Sequence, residues 1–256
     1  MTELVREVRF FWKAHGQFGN SWSGLGAAWE IAPFFCLRAT VAGPVAQPSG
    51  YLCDIVTIDQ RLRLVIERLL SNDEPPQRYD DAMTRISEEL VDWRTEPISL
   101  RALEWIITPY FSLSLNSQDW NMLTITRQYE FSAAHRLHCP TWSDEENRQA
   151  FGKCNNPSGH GHNYKLDIVV AQKAAVTPDE RVDLNHIDSI VKLSVIDRLD
   201  HKHLNSDVAE FAQLNPSVEH IAQVIWHWLV GRLEPARLLR VRVYETAKTW
   251  ADVTGD

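Results

Sequence analysis

The chain has 256 residues, of which 44% are apolar and 23% charged, a balance that suits buried cores and argues against disorder. The formal net charge of −8 disfavours a surface for nucleic acid or for an anionic membrane. The four cysteines lack C-x-x-C spacing, the N-terminus has no signal-peptide core, and no apolar run reaches the length of a membrane span. We therefore expect a soluble, cytoplasmic protein with no nucleic-acid or membrane partner.

The first half of the chain predicts two strands, two helices and a closing strand. The strands cover residues 5–14 and 35–43, and the closing strand covers residues 111–115. Ser99 is a start signal for the second helix. The first helix is indicated by apolar residues at helical spacing, namely Ile58, Leu62, Val65, Ile66 and Leu69.

The second half repeats this order. Strands are predicted over residues 123–133 and 163–171, a helix after Ser217 and a closing strand over residues 239–244. Its first helix is indicated by Ile187, Ile190, Val191 and Val195. Short matches at an offset of about 120–130 residues, such as 53–59 with 182–188, favour tandem duplication over coincidence. Together these elements predict the α+β class, with antiparallel sheets that carry helices on one face.

Three histidines predict a metal site in the second half. His160 and His162 are two residues apart at the start of a predicted strand, so their imidazoles share one face. His135 ends another predicted strand. Three neutral imidazoles leave zinc an open fourth position, which is typical of a catalytic zinc rather than a structural one.

Six motifs in this half resemble the 6-pyruvoyl-tetrahydropterin synthase family, which includes the 6-carboxytetrahydropterin synthases of queuosine biosynthesis. The motifs are residues 131–137 (FSAAHRL), 143–147 (SDEEN), 151–157 (FGKCNNP), 159–164 (GHGHNY), 199–202 (LDHK) and 243–246 (VYET). The resemblance implies two tandem T-fold (tunnelling fold) domains, each an antiparallel four-stranded sheet with two helices. We expect a degenerate, non-catalytic domain over residues 1–118 and a catalytic domain over residues 119–256.

The resemblance also implies a reaction, the conversion of 7,8-dihydroneopterin triphosphate to 6-pyruvoyl-tetrahydropterin with loss of triphosphate, as in tetrahydrobiopterin biosynthesis. Zn²⁺ on His135, His160 and His162 would activate the substrate side chain. The catalytic residues would be Cys154, as the thiolate base beside Lys153, and the pair Asp200 and His201. The substrate-binding residues would be Glu245, which would anchor the pterin through two parallel N–H bonds, Ser217 and Lys153.

The first half lacks this chemistry. The segment 16–35 holds no histidine and no cysteine, and Leu70-Ser71 stands where the second half has Asp200-His201. Glu245 is matched with Ser117, and His15 alone survives of the candidate ligands. We therefore expect the first half to bind no metal and to be catalytically inactive.

Two features leave the substrate open. Val218 and His220 replace the polar residues that the family usually carries around the helix-opening glutamate, which puts the details of pterin binding in doubt. An anionic substrate in an acidic chain needs a local basic cluster, and five basic residues fall near the motifs. They are Arg136, Arg148, Lys153, Lys165 and Lys202, and ordinary solvated charge explains them equally well.

Two other functions and two assemblies remain open. A 6-carboxytetrahydropterin synthase would release acetaldehyde as well as triphosphate, and a non-catalytic pterin-binding protein would release neither. The resemblance implies a ring of domains, because ring closure removes exposed sheet edges. A homotrimer with two stacked three-domain rings is favoured over a four-domain ring formed by two chains.

Overall fold

Nine strands and seven α-helices form the described part of this computed structural model, which covers residues 1–11, 34–69 and 78–255. The chain divides into two units. The first comprises Met1–Ile125 with Gln172–Thr177, and the second comprises Thr126–Ala171 with Pro178–Asp256. Each unit has an antiparallel sheet and helices, which confirms the α+β class. No described helix is both long enough and apolar enough to cross a membrane.

The first unit has the order of elements strand, strand, helix, helix, strand, strand. Its strands pair antiparallel in chain order: β1 (Thr2–Phe11), β2 (Phe34–Gly43), β3 (Ser99–Thr108) and β4 (Phe111–Asn116). Its helices are α1 (Ile55–Leu69), α2 (Tyr79–Glu89) and the 3-10 turn Val91–Arg94. Four residues of the predicted stripe of α1, Ile58, Leu62, Val65 and Ile66, are buried, whereas Leu69 is half-buried.

The helix predicted from Ser99 is wrong, since Ser99 begins strand β3. Leu100 and Leu103 have helical spacing, but Leu103 and Trp105 have the spacing of a strand and both are buried. The segment forms a strand because it is hydrogen-bonded to β2 on one side and to β4 on the other. The second helix of this unit is α2, which the sequence reading missed. Residues 12–15, including His15, lie outside the described residues, as do residues 16–33 and Leu70-Ser71.

The second unit repeats the order with added loops. Its sheet has the strand order β5 (Asp119–His135), β6 (His160–Lys173), β8 (Arg237–Thr246) and β9 (Thr249–Thr254), and β7 (Lys202–His203) pairs parallel with β5. The helices are α3 (Asp144–Phe151), α4 (Leu184–Val191), α5 (Asp197–Leu199), α6 (Leu204–Asp207) and α7 (Val218–Leu229). The shorter turns are Gly152–Asn155, Pro178–Glu180, the π-helical Lys192–Ile196 and Ala209–Ala212.

The core of the second unit lies between its sheet and α4 and α7. Ile187, Val191 and Val195 are buried as predicted, whereas Ile190 is half-buried. The helix predicted after Ser217 is confirmed, because the Ser217 side chain accepts a hydrogen bond from the backbone N–H of His220 at the start of α7. This cap fixes the end of α7 that adjoins the histidine site described below.

The two units also share an irregularity in strand pairing. Five consecutive residues of β2 pair with β3, one residue of β3 is then skipped, and two more pairs follow. The pairing of β6 with β8 has the same pattern, and the skipped residue lies in β8. The closing hairpins match as well, since β3 with β4 and β8 with β9 each have a bulge before the last pair. The bulged residues are Ile107 and Glu245. In this pattern of pairing Glu245 has the position of Ile107, whereas the sequence matched it with Ser117.

Candidate metal centre and active site

Three imidazoles converge where β5 and β6 lie side by side. His135 is the last residue of β5, and His160 and His162 share a face of β6 because side chains alternate along a strand. One nitrogen from each ring lies within 4.8 Å of the other two. The structure thus brings together all three residues that the sequence predicted as metal ligands.

The chemistry of the cluster fits a zinc ion. His135 is fully buried, and its Nδ1 donates to the carbonyl oxygen of Pro216 at 2.7 Å, so its Nε2 carries the lone pair. That Nε2 lies 3.2 Å from Nε2 of His160. Two nitrogens bound tetrahedrally to zinc at about 2.0–2.1 Å lie about 3.3–3.4 Å apart. The Nε2 atom of His162 is buried and has no hydrogen-bond partner among the described residues.

Burial favours the neutral form of His135 and His162, which is the form that binds metal. The pKa of His135 is lowered to about 4, mainly by burial and also by the neighbouring histidines, although the Pro216 hydrogen bond opposes the shift. Burial also lowers the pKa of His162, although the negative charge of Glu245 opposes that shift. These two rings can therefore accept a cation at neutral pH without first losing protons.

Glu245 lies at the cluster. Its Oε1 is 3.4 Å from Nε2 of His135 and 3.5 Å from Nε2 of His162. The bulge in β8 falls at this residue, and a bulge changes the direction in which a side chain points. The carboxylate thus borders the metal site in addition to any contact it makes with a pterin.

Cys154 is held beside the cluster by the segment that follows β5. A capping box between Ser143 and Glu146 starts α3, which ends at Gly152 with a φ of 51°. In the turn that follows, the backbone N–H of Leu137 donates to the carbonyl of Cys154 at 2.9 Å. The side-chain amide of Asn155 donates to the carbonyl of Leu137 at 2.7 Å. The position of the thiol therefore depends on backbone contacts rather than on its own side chain.

The Cys154 thiol does not have the electrostatics that the sequence predicted. Burial raises its pKa, and the negative charge of Glu245 raises it further. Lys153 was expected to favour the thiolate, but its ammonium group is not among the causes of the shift. Without a metal ion, Cys154 is thus a weaker acid than an ordinary cysteine.

Asp200 and His201 form a directly bonded pair. Nδ1 of His201 lies 2.8 Å from a carboxylate oxygen of Asp200, and the other oxygen accepts from the backbone N–H of Ser132 at 2.8 Å. The Ser132 bond, followed by the His201 bond, lowers the pKa of Asp200. Adjacent side chains seldom meet in this way, and the φ of 57° at His201 marks the unusual backbone conformation of this pair. The ring of His201 is otherwise 82% exposed.

Comparison with known proteins identifies the family. Residues 124–256, just over half of the chain, match the sequence model of 6-pyruvoyl tetrahydropterin synthase. The chain belongs to the 6-pyruvoyl tetrahydropterin synthase family.

The chain is similar to several individual proteins. The 6-pyruvoyl tetrahydrobiopterin synthase of Poecilia reticulata is 40% identical over 124 residues, which are 48% of this chain and 84% of the relative. The Homo sapiens protein of the same name is 40% identical over 122 residues, with the same two coverages. A solved structure of 6-pyruvoyl tetrahydropterin synthase from Caenorhabditis elegans is 35% identical and covers 53% of this chain and 96% of that one, with a TM-score of 0.49.

The two departures from the family pattern have structural roles in this chain. Val218 is buried in the first turn of α7, and Nδ1 of His220 donates to the carbonyl of Asn215 at 2.7 Å. The Ser217 hydroxyl donates to Glu219 and thereby lowers the pKa of that carboxyl. Because the Ser217 hydroxyl already donates to Glu219, a hydrogen bond from Ser217 to a pterin would have to replace that bond.

Two neighbours of the cluster were not singled out from the sequence. Tyr164 is fully buried and stacks on Phe131 at 4.9 Å, and its hydroxyl has no hydrogen-bond partner among the described residues. The alternation that placed His160 and His162 on one face also places Tyr164 there, so the sequence contained this signal. His203 is half-buried, and it is close enough to His135 to contribute to the lowered pKa of that ring.

Proposed function

We propose that this chain is a zinc-dependent carbon–oxygen lyase that converts 7,8-dihydroneopterin triphosphate to 6-pyruvoyl-tetrahydropterin and releases triphosphate. The observation that carries the proposal is the convergence of His135, His160 and His162, with Cys154 close enough to Glu245 for that charge to raise the pKa of the thiol. Family membership supports it, because several relatives bear the name of this activity.

Each residue has a role in the proposed reaction. A zinc ion held by the three histidines would supply a Lewis acid that acidifies the C–H bonds beside the hydroxyls of the substrate side chain. Cys154, as thiolate, removes a proton from that side chain. The electron pair of the broken C–H bond forms a carbon–carbon double bond, and the C–O bond to triphosphate breaks, so that triphosphate leaves with its electron pair. The resulting enol takes up a proton on carbon and becomes a ketone. Proton transfers then move the electron pair of the other carbinol C–H bond into the ring C=N bond, so the ring is reduced as the side chain is oxidised and no outside reductant is needed.

Asp200 and His201 would move the proton onward from the thiol. The carboxylate fixes the tautomer and the orientation of the ring, as in other nucleophile–histidine–carboxylate sets. Since the His201 ring is exposed, we propose that it exchanges a proton with Cys154 through the bound substrate or in an assembly of several chains. Val218 and His220 leave fewer polar groups for the pterin than relatives have, so Glu245, Ser217 and Lys153 would carry more of its binding.

We also propose that the first unit is a degenerate copy of the second. The shared element order and the shared bulges support tandem duplication. At the offset that relates β2 to β6, residues 31 and 33 are Ile31 and Pro33, which stand where the second unit has His160 and His162. Ile107 of the first unit has the position that Glu245 has in the second unit. The first unit would then contribute structure, and a homotrimer of stacked rings remains the assembly we propose.

Product analysis tests the proposal. Zinc-loaded protein is incubated with 7,8-dihydroneopterin triphosphate, and mass spectrometry identifies the pterin while an assay measures released triphosphate. The 6-pyruvoyl product supports the proposal. A 6-carboxy product with acetaldehyde identifies the carboxytetrahydropterin synthase of queuosine biosynthesis instead. Binding of the substrate without release of triphosphate indicates a non-catalytic pterin-binding protein.

A further inference from the structure

A basic cavity of about 320 Å³ opens in the second unit next to Cys154. Arg136, Arg148 and Lys153 line it, against a single carboxylate, that of Asp144. Three cations around one cavity run against the overall charge of the chain, which is −8. A local excess of positive charge of this kind concentrates and orients an anionic ligand.

The cations come from three consecutive pieces of the chain that other contacts hold in place. Arg136 follows His135, the last residue of β5. The Nε of Arg136 donates to the carbonyl of Asn155 at 3.2 Å. Arg148 lies in the last turn of α3, where one guanidinium nitrogen donates to Glu145 at 3.0 Å. A guanidinium has five N–H donors, so this bond leaves donors for a ligand. Lys153 follows the glycine that ends α3.

The location of the cavity relates it to the reacting centre. Lys153 and Asn155 both line it, and Cys154 lies between them in the chain. Arg136 is likewise adjacent to His135. The cavity is thus lined by the residues on both sides of Cys154 and by the residue that follows His135. Of the five basic residues near the family motifs, Lys165 and Lys202 do not line this cavity.

We propose that this cavity binds the triphosphate group of the substrate and holds it while the C–O bond breaks, an inference that rests on the proposed function. Arginine and lysine donors match phosphate oxygens, and charge-assisted hydrogen bonds are stronger than neutral ones. The volume is near the lower end of the range for small-ligand pockets, about 300–1,000 Å³. It suits the phosphate chain of the substrate, and the pterin lies outside it.

Calorimetry with inorganic tripolyphosphate tests the binding step without turnover. We expect wild-type protein to bind tripolyphosphate, and to bind orthophosphate at least tenfold more weakly because orthophosphate can engage fewer of the cations. Arg148→Gln and Lys153→Gln should each weaken tripolyphosphate binding by about five- to tenfold, the order expected for one partly exposed charged hydrogen bond. Lys165→Gln is the matched control and should change the affinity by less than twofold.

Two results would overturn the inference. Either tripolyphosphate binds the Arg148→Gln and Lys153→Gln variants as it binds the wild type, or it binds no more tightly than orthophosphate. Zinc content and circular dichroism of each variant establish that it is folded. In an active preparation, tripolyphosphate should inhibit competitively, and Arg148→Gln should raise KM more than it lowers kcat. Non-competitive inhibition would place the anion site outside the substrate site and contradict the inference.

The same data separate this inference from the proposed function. If turnover occurs and KM is unchanged in both variants, the cavity is not the triphosphate site although the lyase activity stands. If no turnover occurs but tripolyphosphate binding is lost in the variants, the cavity is a polyphosphate site and the proposed reaction is wrong.

Discussion

Oε1 of Glu245 lies 3.4 Å from Nε2 of His135, although the two residues are 110 positions apart in the chain. The same oxygen is 3.5 Å from His162, so one carboxylate adjoins two of the three candidate metal ligands. This charge favours a bound cation and disfavours ionisation of the nearby thiol. Glu245 therefore connects the metal site with the proposed base.

The metal stoichiometry should be one zinc per chain. The described residues contain one cluster of three histidines, and the first half of the sequence offers only His15. Elemental analysis of purified protein should give a value near one, and His162→Ala should remove most of the metal. His186→Ala, which alters an exposed histidine of α4, is the control and should retain it. Two zinc ions per chain would contradict the inactive first half.

Cys154→Ala should abolish turnover but retain zinc and fold, because the thiol is the proposed base and not a ligand. The measurements are triphosphate release and zinc content on the same preparation. Cys139→Ala is a matched control, since that cysteine is also half-buried and lies outside the cluster. A Cys154→Ala variant with a rate near that of the wild type would rule out the thiolate base.

The reactivity of Cys154 should depend on pH and on Glu245. Because its pKa is raised, metal-free protein holds this residue as a thiol at neutral pH. Alkylation by iodoacetamide should therefore speed up about tenfold per pH unit as long as the pH is well below that pKa. Glu245→Gln removes a negative charge that raises the pKa, so its alkylation profile should move to lower pH. Glu219→Gln is the control, and an unmoved profile in Glu245→Gln would refute the coupling.

Substrate and metal affinity should together define the role of Glu245. Glu245→Gln should weaken substrate binding, because the proposed pterin anchor loses one of its two acceptors. The distances to His135 and His162 lead us to expect weaker zinc binding as well, since the variant loses a charge next to the cation. Competition with a zinc chelator measures the second effect, and calorimetry with a pterin measures the first. Unchanged zinc affinity would limit Glu245 to the pterin.

Light scattering tests the assembly. Stacked three-domain rings require a mass near three times 29.4 kDa, because each chain supplies one domain to each ring. A dimer or a tetramer would instead favour a four-domain ring and would exclude the proposed homotrimer.

Core packing in the second unit gives a test of stability. Leu166 is fully buried, so Leu166→Ala should lower the free energy of unfolding by about 2–5 kcal/mol. Leu193 is 67% exposed, and Leu193→Ala should change the free energy of unfolding by no more than about 0.5 kcal/mol. Urea denaturation measures both, and equal effects would contradict the assigned core.

The sequence by itself determined the features that depend on local spacing. Alternation along β6 placed His160 and His162 on one face, the helical stripe located α1, and Ser217 marked the start of α7. These follow because strand and helix periods are properties of the backbone, which neighbouring residues reveal. The family motifs likewise identified the second half as a 6-pyruvoyl tetrahydropterin synthase domain.

Only the tertiary structure decided the features that depend on pairing between distant segments. The strand at Ser99 forms because β2 and β4 bond to it on both sides, which local spacing does not reveal. The bulge at Glu245 arises from the pairing of β8 with β9, and the pKa of Cys154 is set by burial and by that distant carboxylate. Hydrogen-bond register and desolvation are created by contacts between segments far apart in the chain, so no window of sequence contains them.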